Sequence, residues 1–134
     1  MPYVPAPVIE KLGATSMDNF PELHDLIGFF EVEPVIEDRD VPWFYSKLVF
    51  RTIREHNKIY FAIEPGHGKV VFIWESSNEL IASLNLENVT ALLLFTESGT
   101  EKLLAKFAPS TNQLDFELQL KPTIHIKWGN ERAM

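Results

Sequence analysis

In "LDFELQL", Leu114, Phe116, Leu118 and Leu120 fall on every second residue, and Asp115, Glu117 and Gln119 fill the gaps. A strand sends successive side chains to opposite faces, so this spacing puts four apolar groups on one side and three polar groups on the other. "TIHIKW" repeats the pattern, with Ile124, Ile126 and Trp128 against His125 and Lys127. One-sided alternation argues for an antiparallel sheet with one face on a core and one in water, and against a parallel sheet buried on both faces. The even-numbered phase runs through Pro122. That predicts either one long strand with a bulge at Pro122 or a strand that bends there to change sheets.

The same rhythm extends upstream. "KIYFAIE" places Ile59, Phe61 and Ile63 on one face, and "LIASLNLE" does so with Leu80, Ala82, Leu84 and Leu86. "KVVFIWE" is apolar on both faces and reads as a more buried strand. "FYSKLVFRTIRE" reads as another, with Leu48 and Phe50 facing one way. "VTALLLFTE" mixes strand and helix formers; its place between strands and the turn-like "ESGTE" after it favour a strand. "EHNK" and "SSNE" are further turn signals. The result is about eight or nine strands, spaced roughly every 8 to 12 residues, which predicts a mainly β antiparallel sandwich or a barrel-like curved sheet.

The start of the chain differs. Three prolines in the first seven residues predict a loosely ordered arm over 1–19. A short helix follows, with Asp18 or Asn19 as its cap, Pro21 and Glu22 in its first turn, and Leu23, Leu26 and Ile27 on its apolar face. Gly28 is the expected stop. "FFEVEPVIE" returns to period two, with Phe30, Val32 and Pro34 on one side. Residues 130–134 read as a polar tail. A chain of 134 residues is the size of one domain and long enough to bury a core, so 1–134 is expected to be a single β-rich unit.

Composition narrows the chemistry. The chain has no cysteine, which removes disulfides, thiolate metal sites and cysteine nucleophiles. Its net charge is −7, which disfavours nucleic acid and suits a basic protein partner. There is no secretory pattern at the start and no apolar run near the length of a spanning helix. The expectation is a cytoplasmic protein without membrane partners.

"EPGHGK" looks most like a site, with His67 between two glycines and Glu64 three residues before it. It lies between two strand patterns, and Pro65, Gly66 and Gly68 are what a chain reversal needs, since both glycines can take positive φ. The phosphate-loop pattern is absent: valine follows Gly68-Lys69, and a strand follows the glycines in place of a helix. A metal held by Glu64 and His67 would need a further ligand from elsewhere. His24, His56 and His125 are scattered without ligand spacing. Carboxylate pairs such as Glu31/Glu33 and Asp115/Glu117 read as solvated faces. No catalytic, metal or cofactor residue is assigned.

Two surface features remain. "VPWFYS" stacks Trp43, Phe44 and Tyr45, and alternation must turn at least one of them away from the core. "RTIREHNK" gathers Arg51, Arg54, His56 and Lys58 in an acidic chain, a candidate anion or acidic-partner contact. Trp43, Tyr45, Arg51, Arg54 and His67 are the candidate ligand- or partner-binding residues. The favoured reading is a non-enzymatic protein-interaction module that binds a basic partner or self-associates. The alternative is a binder of small apolar ligands, using an inner face lined by Phe61, Phe72, Trp74, Leu84 and Phe116. An enzyme built from His24, His67 and His125 with nearby acids ranks last.

Overall fold

Short turns set the register of nine strands in the computed structural model, which describes residues 16–128. The expectations for 1–15 of the arm and for the 130–134 tail lie outside the described residues. The strands are β1 (Val35–Ile36), β2 (Leu48–Arg54), β3 (Asn57–Glu64), β4 (Lys69–Ser76), β5 (Glu79–Leu86), β6 (Val89–Glu97), β7 (Thr100–Phe107), β8 (Phe116–Gln119) and β9 (His125–Lys127). Ser77 and Asn78 both have positive φ, as do Ser98 and Gly99. Two such residues in succession match the right-handed twist of the strands they join, and they close the β4–β5 and β6–β7 hairpins.

The strands form two antiparallel sheets, β1-β2-β3-β4-β5 and β6-β7-β8-β9. They pack face to face, which is the sandwich of the two expected forms. Asn88, with φ of 63°, turns the chain from one sheet into the other, and the Val89 N–H then donates to the Gly68 carbonyl. Phe61 meets Phe72 on the neighbouring strand at 6.4 Å, and Phe72 meets Phe116 across the sandwich at 5.6 Å. All three rings are fully buried. Burying one such side chain contributes about 1.5–3 kcal/mol. The inner face is therefore filled by its own rings.

Helix α1 (Leu23–Phe30) adds Leu26, Phe29 and Phe30 to the same core. Phe30 stacks on Phe50 at 4.7 Å and reaches Phe61 at 5.0 Å. This corrects the expected boundaries. The helix passes Gly28 because the next two residues are buried phenylalanines, and it ends where Glu31 takes positive φ. Its N-cap is Glu22, without a side-chain bond, because Asn19 instead forms a parallel bridge with Ala91. Residues 16–19 are not loose: Met17 N–H donates to the Pro65 carbonyl, and Asp18 N–H to that of Thr90. Phe30 belongs to the helix and not to a strand, and only Val35 and Ile36 of "FFEVEPVIE" pair, with Val49 and Leu48.

Two further expectations change with register. Trp74 pairs with Ala82 but Glu75 pairs with Leu80, so Ile81 is an extra residue in β5. The bulge moves Leu80 from the core face to the outer face, where it is exposed. At Pro122 the chain neither bulges nor changes sheet; it reverses. Glu117, Leu118 and Gln119 pair with Lys127, Ile126 and His125. The Lys121–Pro122 bond in the turn is cis, and Gln119 Nε2 donates to the Thr123 carbonyl. This pairing matches even with even residues, which is why the apolar phase survives the turn.

Candidate functional site

Charge is distributed unevenly along the chain. Residues 18–40 hold eight acids (Asp18, Glu22, Asp25, Glu31, Glu33, Glu37, Asp38, Asp40) and one base, Arg39. That stretch accounts for the entire net charge of −7, and the rest of the chain is balanced. All eight acidic residues are exposed. Asp18 and Glu22 precede α1, Asp25 lies on its water-facing side, and the other five follow it. Neither composition nor period reveals this; a running charge sum along the sequence does.

The acidic stretch leads into a pinned loop over residues 37–47. The Glu37 N–H donates to the Lys47 carbonyl at 2.9 Å, and the Asp38 N–H to Ser46 Oγ at 2.8 Å, so the loop ends meet. Inside it, the Asp40 N–H donates to Asp38 Oδ1 at 3.0 Å. Compact surface loops of this kind, closed at their ends and packed by their own side chains, frequently carry function.

The far side of the loop is aromatic. Trp43–Tyr45 form a 3-10 turn, not a strand, so the three rings fan out instead of alternating. Phe20 stacks on Phe44 at 4.6 Å and meets the edge of Trp43 at 5.2 Å, which leaves both half-buried. Tyr45 touches Phe44 at 5.1 Å but is 55% exposed. It is the aromatic that leaves the core.

The reversal in "EPGHGK" packs beside these rings. Pro65–His67 form a second 3-10 turn, and Gly68 closes it at φ of 62°. Gly68 alone of the two glycines has positive φ. A Cβ on Gly66 would lie 3.6 Å from the Phe44 carbonyl oxygen and 4.0 Å from Tyr45 Cδ1. Trp43, Tyr45 and His67 therefore occupy one end of the sandwich, with His67 exposed.

Arg51 and Arg54 do not join them. Arg54 ends β2, six residues and roughly 20 Å of strand from Leu48. Its Nη2 donates to Glu31 Oε1 at 2.8 Å, while Lys121 Nζ donates to Glu31 Oε2 at 2.6 Å. Lys121 first and Arg54 second hold the Glu31 carboxyl below its ordinary pKa. Arg51 points to the outer face of the first sheet, with its guanidinium 5.2 Å from the centre of the Tyr60 ring. The cations of "RTIREHNK" thus split between two faces and form no common anion site. His24, His67 and His125 stay apart, on α1, a turn and β9. Among the described residues, no three His, Cys, Asp or Glu side chains gather as a metal site would require.

Glu37, Asp38 and Asp40, all exposed, share the 37–47 loop with the projecting Tyr45, so carboxylates and an aromatic ring lie on one loop. No family model matches the chain, and no curated protein matches it by sequence. Among solved structures it resembles a chain of a contact-dependent growth inhibition toxin–immunity protein complex from Klebsiella pneumoniae 342. That chain is 18% identical, with a TM-score of 0.74, and the match covers 86% of this chain and 98% of that one. The likeness establishes a shared antiparallel β architecture.

Proposed function

We propose that this chain is a protein-interaction module of the immunity type, which binds a basic toxin domain and blocks it by occupying its working surface. The observation that carries the reading is the acidic excess of residues 18–40, of which exposed Glu37, Asp38 and Asp40 lie in the loop that carries Tyr45. Of the two roles named in the similar complex, toxin and immunity protein, the second suits a sandwich whose inner face is filled by Phe61, Phe72 and Phe116. Opposite potentials steer the two proteins together and reject wrong partners, and Tyr45, with the aromatic cluster behind it, supplies an apolar anchor. Trp43 and His67 shape the rim of that surface. The encounter takes place in the cytoplasm, a reading supported by the cysteine-free sequence.

Co-culture tests it. A derivative of the source strain that lacks the gene for this chain should lose viability on contact with its parent. Supplying this chain alone from a plasmid should restore growth. Equal survival of the derivative with and without the plasmid would overturn the reading.

A further inference from the structure

The outer face of the five-stranded sheet carries a second surface, independent of the acidic strip. Paired residues in an antiparallel sheet point to the same side, so the registers spell out its rows. One row reads Ile53, Lys58, Glu75, Leu80 across β2 to β5, and the next reads Arg51, Tyr60, Ile73, Ser83. Ile53 is 70% exposed, and the bulge turns Leu80 outward to 62%. Between the rows lies a hollow of about 370 Å³, lined by Arg51, Ile53, Lys58, Tyr60, Ile73 and Glu75. Among the described residues, no ion pair within 4 Å involves Arg51, Lys58 or Glu75. On the other sheet, by contrast, Lys102 and Lys106 are paired with carboxylates.

We infer that this face is the interface of a twofold dimer, with a second copy of this chain as its occupant. A twofold axis parallel to the strands, between β3 and β4, reverses each row and lays it over itself. Ile53 then meets Leu80 of the second copy, and Lys58 meets Glu75. In the next row Tyr60 meets Ile73, and Arg51 meets the Ser83 hydroxyl. Each of these pairings occurs twice, as an isologous contact requires. Strands from the two copies then run nearly aligned, the usual arrangement for stacked sheets. The cations of this face repel a basic toxin domain, so the face is not a second site for that partner.

The test is sedimentation equilibrium on the full chain. The wild type should be a dimer. Ile53→Asp, at an exposed position that leaves the fold intact by circular dichroism, should weaken self-association by at least about tenfold. Lys58→Glu gives a copy with two facing carboxylates, and Glu75→Lys a copy with two facing ammonium groups. Neither variant should self-associate, but an equimolar mixture should form a heterodimer. A wild type that stays monomeric at its highest soluble concentration would overturn the proposal. So would a dimer that survives Ile53→Asp, or a mixture no more associated than its components.

Discussion

Two glycines that flank His67 do different jobs in the turn that most resembles a site. Gly68 is held at φ of 62°, in the left-handed region that a Cβ disfavours, and its carbonyl accepts the Val89 N–H at the crossing between sheets. Gly66 has no such conformation, and the space beside it ends at ordinary contact distances of 3.6 and 4.0 Å from Phe44 and Tyr45. Gly68→Ala should therefore cost about 1 kcal/mol, whereas Gly66→Ala should be near neutral or slightly stabilising through the unfolded chain. Urea denaturation of the two variants checks this, and equal losses would show that crowding rather than φ decides. The turn is closed by the Gly68 N–H donating to the Pro65 carbonyl, a backbone bond that does not use the imidazole of His67 between them.

At the scale of elements, α1 is attached in two ways: by Leu26, Phe29 and Phe30 in the core and by Glu31 at its end. Glu31 joins Arg54 at the end of β2 to Lys121 in the β8–β9 turn, so one carboxylate links the helix to both sheets. Its pKa is lowered in the folded state, chiefly by Lys121 and then by Arg54. A lowered carboxyl pKa contributes stability that is complete above the ordinary glutamate range and is lost as pH falls through the folded value. The pair is exposed and screened, so the effect is small. Glu31→Gln should melt slightly below wild type at neutral pH, and the two melting curves should converge in acid. A gap that stays constant into strong acid would mean that packing, not charge, is lost. This link was invisible in the sequence, because 23 and 90 residues separate the partners. Strands with one polar face were legible: β3 and β8 follow their alternation directly. The bulge at Ile81 was not, because "LIASLNLE" carries no glycine or proline to mark the extra residue. The reversal at Pro122 was hidden by its own symmetry. A hairpin that pairs even with even residues is indistinguishable from a continuous strand when only hydrophobic phase is read. Strand alternation in "VPWFYS" was expected to turn at least one of Trp43, Phe44 and Tyr45 from the core; the exposed ring is Tyr45, and a 3-10 turn, which has no period-two signature, exposes it.

For the molecule as a whole, the sandwich supplies rigidity and residues 18–40 supply polarity. The proposed docking needs that charge to be concentrated, because an even spread would give no directed potential to steer a cationic partner to one surface. Position can be separated from net charge. Replacing Glu37, Asp38 and Asp40 by lysine takes the chain from −7 to −1, since each exchange adds two charges. Replacing Glu55, Glu87 and Glu101 by lysine gives the same net charge from exposed sites elsewhere. The hydrogen bonds that close the loop come from the backbone N–H groups of residues 37 and 38, so the first set keeps them. If the acidic strip docks the toxin domain, the first triple variant should associate with it about tenfold or more slowly at low salt. Its rate should also depend less on ionic strength, and it should protect cells poorly in co-culture. The second set should stay close to wild type in all three. Stopped-flow measurements with the toxin from the source strain read both rates. Matching losses in the two sets would assign the effect to total charge, and the docking surface would then have to be sought on a face other than the one bordered by Tyr45.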